Sequence, residues 1–313
     1  MDVDALVRGV LAGDARAVAR AISLVEDGRA ELPALSAGIY ASTGTAATVG
    51  LTGAPGVGKS TLAGALVRVA RAAGRRVAVL AVDPTSPYTG GALLGDRVRM
   101  QEHATDPDVF IRSMATRGHL GGMALAAPEA VRILDAAGYD LVVVETVGVG
   151  QAEVDVAAAT DTALVVLAPG LGDAVQMAKA GILEVADVFV VNKADRPGAA
   201  DVERELQQML QLGATHEWEP PVLTTSAIEP EGVEELWVAV ERHRAWLVDS
   251  GTLDAKRTAR LLREVEALAA ERFKLATAEA LEAGGDVATR LLERSVDPYA
   301  AADALLGRIA PQE

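Results

Sequence analysis

Gly53-Ala54-Pro55-Gly56-Val57-Gly58-Lys59-Ser60 follows the apolar run Thr48 to Thr52 and opens a helical stretch from Lys59 to Ala73. Strand, glycine-rich turn and helix in that order are what a phosphate-binding loop requires. Gly56 and Gly58 let the backbone curl so that its N–H groups face phosphate oxygens, and the helix N-terminus adds its dipole. Lys59 is placed for the β- and γ-phosphates, Ser60 for magnesium and Thr61 for the α-phosphate.

Further apolar runs punctuate the chain at Arg76 to Val82, Val109 to Ser113, Leu141 to Val144, Ala163 to Leu167, Val188 to Val191 and Pro221 to Thr225. They are nearly continuous rather than alternating, which predicts strands covered on both faces and a mostly parallel sheet. Helical stretches fill the intervals, including Ala200 to Gln211 and Val233 to Leu247. The fold class expected is therefore α/β, a three-layer α/β/α phosphate-loop NTPase. Val3, Leu6, Val7, Val10 and Leu11 begin a helical extension that resumes after Gly13-Asp14. Residues 254 to 282 carry Leu261, Val265, Leu268 and Ala269 on one helical stripe, and Asp297-Pro298 has the form of a cap followed by proline at the first helical position. The predicted organisation is an N-terminal helical extension over 1–40, a phosphate-loop NTPase domain over 41–250 and a C-terminal helical dimerisation arm over 251–313.

Three of these runs end in residues with a specific chemistry. Asn192-Lys193-Ala194-Asp195 closes one of them. The Asp195 carboxylate can accept from both N1–H and the 2-amino group of guanine, whereas adenine would leave it unpaired. The Lys193 stem covers the base face and Asn192 ties this segment to the phosphate loop. Thr225-Ser226-Ala227 closes another, with Ser226, Ala227 and Ile228 assigned to the base and Ser226 and Ala227 as backbone donors to guanine O6. Glu145-Thr146-Val147-Gly148 closes a third. Magnesium takes hard oxygen ligands; Ser60, Asp83, Asp96 and Glu145 are the candidates, and with Lys59 the three acids form the expected catalytic set. Gly148 is placed to sense the γ-phosphate through its N–H. Val149 follows it, so a glutamine of the Ras kind is absent there, and Gln151 is the nearest water-orienting side chain. Hydrolysis is expected to be slow without a partner.

Composition narrows the classes. The chain has 313 residues, a net charge of −15 and no cysteine. The charge argues against nucleic acid or an anionic membrane as partner, and the lack of cysteine excludes disulfides and thiolate metal sites. His103, His119, His216 and His243 lack ligand spacing. The acidic start Met1-Asp2-Val3-Asp4 does not resemble a secretory or mitochondrial signal, and no apolar run is long enough to span a bilayer. A cytoplasmic protein is expected.

Asp83-Pro84-Thr85-Ser86-Pro87, Gly90-Gly91, Leu94-Gly95-Asp96-Arg97-Val98-Arg99-Met100, Arg117-Gly118-His119-Leu120-Gly121-Gly122 and Glu145-Thr146-Val147-Gly148-Val149-Gly150-Gln151 together resemble the MeaB/ArgK family of methylmalonyl-CoA mutase-associated GTPases. The resemblance covers nearly the whole chain. It implies a homodimeric, magnesium-dependent GTPase chaperone that binds GTP or GDP. Its client would be an adenosylcobalamin-dependent acyl-CoA mutase, with no cobalamin bound directly. It maps magnesium and switch acids onto Asp83, Asp96 and Glu145, and a further switch onto Gly170 to Lys179, with Asp173 and Lys179 as its reporters. The family more often carries a second acid where Ala174 stands. Two alternatives share the motifs: an arginine/ornithine transport-linked kinase or ATPase, and a nickel-delivery GTPase.

Overall fold

Apolar residues on both faces of a strand require a covering layer on each side, and the chain provides both. The computed structural model describes residues 1–83, 103, 105–115, 122–146, 156, 158–170, 185–212, 217–226, 231–283 and 287–309. Seven strands, β1 (Ala47–Thr52), β2 (Val77–Asp83), β3 (Val109–Ala115), β4 (Leu141–Thr146), β5 (Thr162–Leu167), β6 (Val188–Asn192) and β7 (Val222–Thr225), form one sheet in the order β3-β2-β4-β1-β5-β6-β7. All six pairings are parallel. Strands β1, β4, β5 and β6 are buried along their whole length, as their unbroken apolar runs predict.

The register aligns the functional ends. Glu145 pairs with Leu51 of β1 on one side and with Ala81 of β2 on the other. The carboxyl ends of β1, β2 and β4 therefore open onto one edge of the sheet, where ligands of open parallel sheets bind.

One face is covered by α4 (Lys59–Ala72) and α7 (Val233–Asp249). Leu62 and Leu66 of α4 and Leu236 and Val240 of α7 pack on Val49, Leu51, Val79, Val143 and Leu164. The other face is covered by α1 (Val3–Leu11), α2 (Ala15–Glu26), α3 (Leu32–Ile39) and α5 (Gly122–Ala136). Here Val10, Ile22, Leu35, Ile133 and Leu134 meet Leu80, Val142 and Val144. The helix α6 (Ala199–Leu212) continues that layer over β5 and β6 through Leu206, Leu167 and Phe189. The N-terminal helices are thus part of the layer that closes the sheet. Asp2 and Asp14 cap α1 and α2 by accepting from Ala5 N at 2.9 Å and from Arg16 N and Ala17 N at 2.8 Å. Arg112 of β3 reaches Ser23 at 2.9 Å and pairs with the buried Glu26, fixing α2 to the sheet's edge strand.

The chain ends in α8 (Thr252–Ala283), α9 (Val287–Leu292) and α10 (Pro298–Ile309), and Asp297 caps α10 through Tyr299 N and Ala300 N. Two compact units are formed, residues 1–260 and 261–313. The first two turns of α8 belong to the first unit. Arg257 and Arg260 both bind the Asp161 carboxylate at the start of β5, at 2.7 and 2.9 Å. Arg257 also donates to Gly44 O and Ala46 O just before β1, and Lys256 donates to Asp161 O and Asp187. Among the described residues no helix is long and apolar enough to cross a membrane.

Candidate functional site

Strand β1 runs into the phosphate loop, whose shape depends on glycine at two places. Gly53 has φ +140°, and a Cβ there would lie 2.1 Å from Val166 O of β5. Gly58 has φ +100°, and a Cβ there would meet Asn192 Nδ2 at 2.5 Å. L-residues with a side chain avoid both the dihedrals and the contacts. Gly58 also precedes α4 without a side-chain cap, and the positive end of the helix dipole faces the loop.

Two ammonium groups stand over the loop. Lys59, buried in the first turn of α4, donates through Nζ to Gly53 O and, at 3.2 Å, to Ala54 O. Lys193, with φ +59°, donates to Gly56 O. Burial first, then the neighbouring Arg196, pushes the Lys193 ammonium below the ordinary lysine value against the opposing pull of Asp195. The Lys59 ammonium is thus already inside the loop, held by the loop's own carbonyls, while Lys193 reaches Gly56 O from the exposed side.

Of the residues expected at the base, Asn192, Asp195 and Ser226 lie together. Asn192 is buried at the end of β6; its Nδ2 donates to Val57 O at 2.8 Å and its Oδ1 accepts from Thr225 Oγ1 at 3.2 Å. One side chain therefore locks together the phosphate loop, β6 and β7. Asp195 is exposed and accepts from Ser226 Oγ at 3.2 Å. The sequence gives Ser226 a backbone role toward the base. In the structure its N–H donates to Glu231 O at 3.1 Å in an isolated antiparallel bridge, and its hydroxyl donates to Asp195. The Ser226 N–H is therefore engaged within the chain, and its hydroxyl is what meets Asp195.

Glu145 is buried at the end of β4, beside the strand that leads into the loop. Ser60 and Thr61 lie in the first turn of α4, and Asp83 is the last residue of β2. The Asp83 side chain and Asp96, Gly148, Gln151, Asp173, Lys179, Ala227 and Ile228 lie outside the described residues. Among the described residues no group of three or more His, Asp or Glu side chains could hold a metal alone. The hard oxygens of Ser60 and Glu145 instead suit magnesium, which keeps several waters and shares its shell with nucleotide phosphates. The arrangement can bind a guanosine phosphate, place magnesium at the phosphate end and read the base 
at the ends of β6 and β7.

Residues 18–282 match the family described as Methylmalonyl Co-A mutase-associated GTPase MeaB. A Pyrococcus horikoshii protein carrying the name "Putative GTPase PH0274" is 48% identical over 98% of both chains. The GTPase ArgK of Escherichia coli is 40% identical over 80% of this chain and 78% of its own. The mouse protein named methylmalonic aciduria type A homolog, mitochondrial, is 36% identical over 82% of this chain and 66% of its own. The crystal structure of a LAO/AO transport system kinase superposes with a TM-score of 0.71 at 28% identity, covering 98% of this chain and 97% of that one.

Proposed function

The chain belongs to the MeaB family of methylmalonyl Co-A mutase-associated GTPases, and from that premise we propose that it is a magnesium-dependent, GTP-hydrolysing chaperone that gates adenosylcobalamin loading and protection of an acyl-CoA mutase. The observation that carries the nucleotide half is the Asn192 bridge between phosphate loop, β6 and β7, with Asp195 held beside it by Ser226. The client half rests on the family's association with methylmalonyl-CoA mutase.

Lys59, Ser60, Thr61 and the loop N–H groups hold the phosphates. Ser60 and Glu145, with Asp83 and Asp96, are the residues that would hold magnesium, directly or through water. Magnesium when bound neutralises charge that develops on the phosphates. Lys59 supplies a second positive group there and the α4 N-terminus a third. Gly148, Gln151, Asp173 and Lys179 report the γ-phosphate to the client, and hydrolysis without the client is slow. Cobalamin is held by the client rather than by this chain. The exposed apolar face of α8, with Leu262 59% and Val265 62% accessible, pairs two copies into a homodimer. The protein acts in the cytoplasm.

GTP hydrolysis measured with and without a purified adenosylcobalamin-dependent acyl-CoA mutase tests this. Stimulation that vanishes in Lys59→Ala supports it; absence of both stimulation and complex removes the client half. The likeness to a protein titled LAO/AO transport system kinase favours one second reading, phosphoryl transfer to another protein. Radiolabel from the γ-phosphate appearing on a protein rather than in free phosphate would establish it.

A further inference from the structure

The chain is poor in aromatic residues, with three tryptophans in 313 residues. Two of them, Trp218 and Trp246, line one cavity of about 360 Å³. Its floor is apolar, formed by Leu210 of α6, Leu247 of α7 and Pro220. The indoles lie 5.4 Å apart, and Trp218 is fixed from behind: Nε1 donates to Asp187 O at 2.8 Å, and the Arg242 guanidinium sits 5.3 Å from the ring centroid. His243 packs against both rings. Both tryptophans remain partly exposed, and the neighbouring Val248 is 57% accessible.

The charges at the cavity are unequal in their engagement. Lys256 is bound to Asp187 at 3.1 Å, and Asp187 also meets His243 Nε2 at 3.4 Å. Glu217 lines the rim, and Glu219 lies between the lining residues Trp218 and Pro220. Both glutamates are exposed, and neither makes an ion pair among the described residues. An apolar, aromatic-walled pocket with two exposed acids, Glu217 and Glu219, against one cation, Arg242 over Trp218, fits an apolar or aromatic side chain flanked by basic residues. Aromatic anchors in a desolvated pocket carry most of the energy of protein interfaces, and complementary rim charge sets partner choice and encounter rate.

Position in the sheet adds a second property. Asp187 precedes β6, whereas Asn192 to Asp195 end it. Five residues of strand separate the two by about 16 Å. The pocket lies at the amino ends of β6 and β7, on the side of the sheet away from the nucleotide.

We propose that the Trp218–Trp246 pocket is a docking site for the client protein, receiving a basic-flanked apolar side chain and holding it equally in the GTP and GDP states. The client contact then has two parts, a constant tether here and the nucleotide-dependent contact at the opposite edge. This inference rests on the mutase-associated reading above.

The test is the affinity of the full chain for a purified adenosylcobalamin-dependent acyl-CoA mutase, measured calorimetrically with GDP and with a non-hydrolysable GTP analogue. The charge reversal Glu217→Lys with Glu219→Lys alters only exposed side chains. It is expected to weaken the complex about tenfold in both nucleotide states, with basal GTP hydrolysis unchanged. Trp218→Ala is expected to weaken it about thirtyfold, and the wild-type tryptophan emission is expected to shift when the mutase binds. If the wild-type chain binds no such mutase, the client reading and this inference fall together. If wild type binds and the charge-reversed variant binds equally well, only the docking site is overturned. An altered sedimentation coefficient of that variant, with mutase affinity intact, would overturn it in favour of a second copy of the chain as occupant.

Discussion

Asp195 and Ser226 show how a short motif acquires its specificity. The carboxylate is exposed and would be free to rotate, but the Ser226 hydroxyl holds one oxygen at 3.2 Å. Asp195→Asn replaces an acceptor with a donor where guanine presents donors. It is expected to weaken GTP by at least about 100-fold while leaving the thermal midpoint unchanged, as fluorescent-nucleotide titration and calorimetry would show. A different residue, His243, makes a prediction about acidity. Burial pushes its imidazole down to about 4, against the opposing pull of Asp187. Its Nδ1 lies 2.9 Å from Thr162 Oγ1, a contact suited to the neutral ring. The unfolded chain therefore binds this proton more readily than the folded one between pH 6.5 and about 4. The stability contribution is present above pH 6.5 and is lost as pH falls toward 4. His243→Gln is expected to flatten the urea midpoint across that interval.

At the scale of elements, the central strands were legible because burial on both faces leaves an unbroken apolar run, as at Val188 to Val191 or Leu141 to Val144. Helix α4 was legible because the phosphate loop announces its start and Gly74 its end. Helix α5 received no bounds from the sequence: it carries Pro128 inside, which in a sequence argues for an end rather than a middle. The order of the strands was not legible, since β2 lies between β3 and β4 and β1 between β4 and β5. Nor was the basic turn of α8, read only as part of an amphipathic helix. Its partner Asp161 lies some hundred residues earlier, accepting from Arg257 and Arg260. Burial pushes the Asp161 carboxyl up, but hydrogen bonds and charge from Arg257, then Arg260, outweigh it and hold the pKa below the ordinary value. This contribution is present above the unfolded carboxylate range and is lost as pH falls through the folded value. Arg257→Met leaves part of a buried carboxylate uncompensated and is expected to cost about 3 kcal/mol, read from urea unfolding at neutral pH.

For the whole molecule, two kinds of surface stand out, and they differ in how far the sequence revealed them. The face of α8 was visible as a stripe containing Leu261, Val265 and Leu268, because helical periodicity is local. Leu262→Glu with Val265→Glu is expected to halve the sedimenting mass while nucleotide affinity stays within about twofold, since surface substitutions away from a site have small effects. The tryptophan pocket left no local signal. Leu210, Trp218, Trp246 and Lys256 come from four parts of the chain and meet only when α6, α7 and α8 pack at the amino ends of β6 and β7. The nucleotide site lies between these cases. Its motifs are contiguous and readable one by one, but the Asn192 link from Val57 to Thr225 required the fold.

The resting places of Lys59 and Lys193 have a kinetic consequence. Both ammonium groups already sit on carbonyls of Gly53, Ala54 and Gly56, so an arriving polyphosphate exchanges one set of oxygens for another. The attraction is confined to a few ångströms, while the net charge of −15 repels at long range. Added salt screens the long-range repulsion more than the short-range exchange. Stopped-flow association of GTP should therefore speed up as ionic strength rises from about 10 to about 150 mM, the reverse of an electrostatically steered encounter.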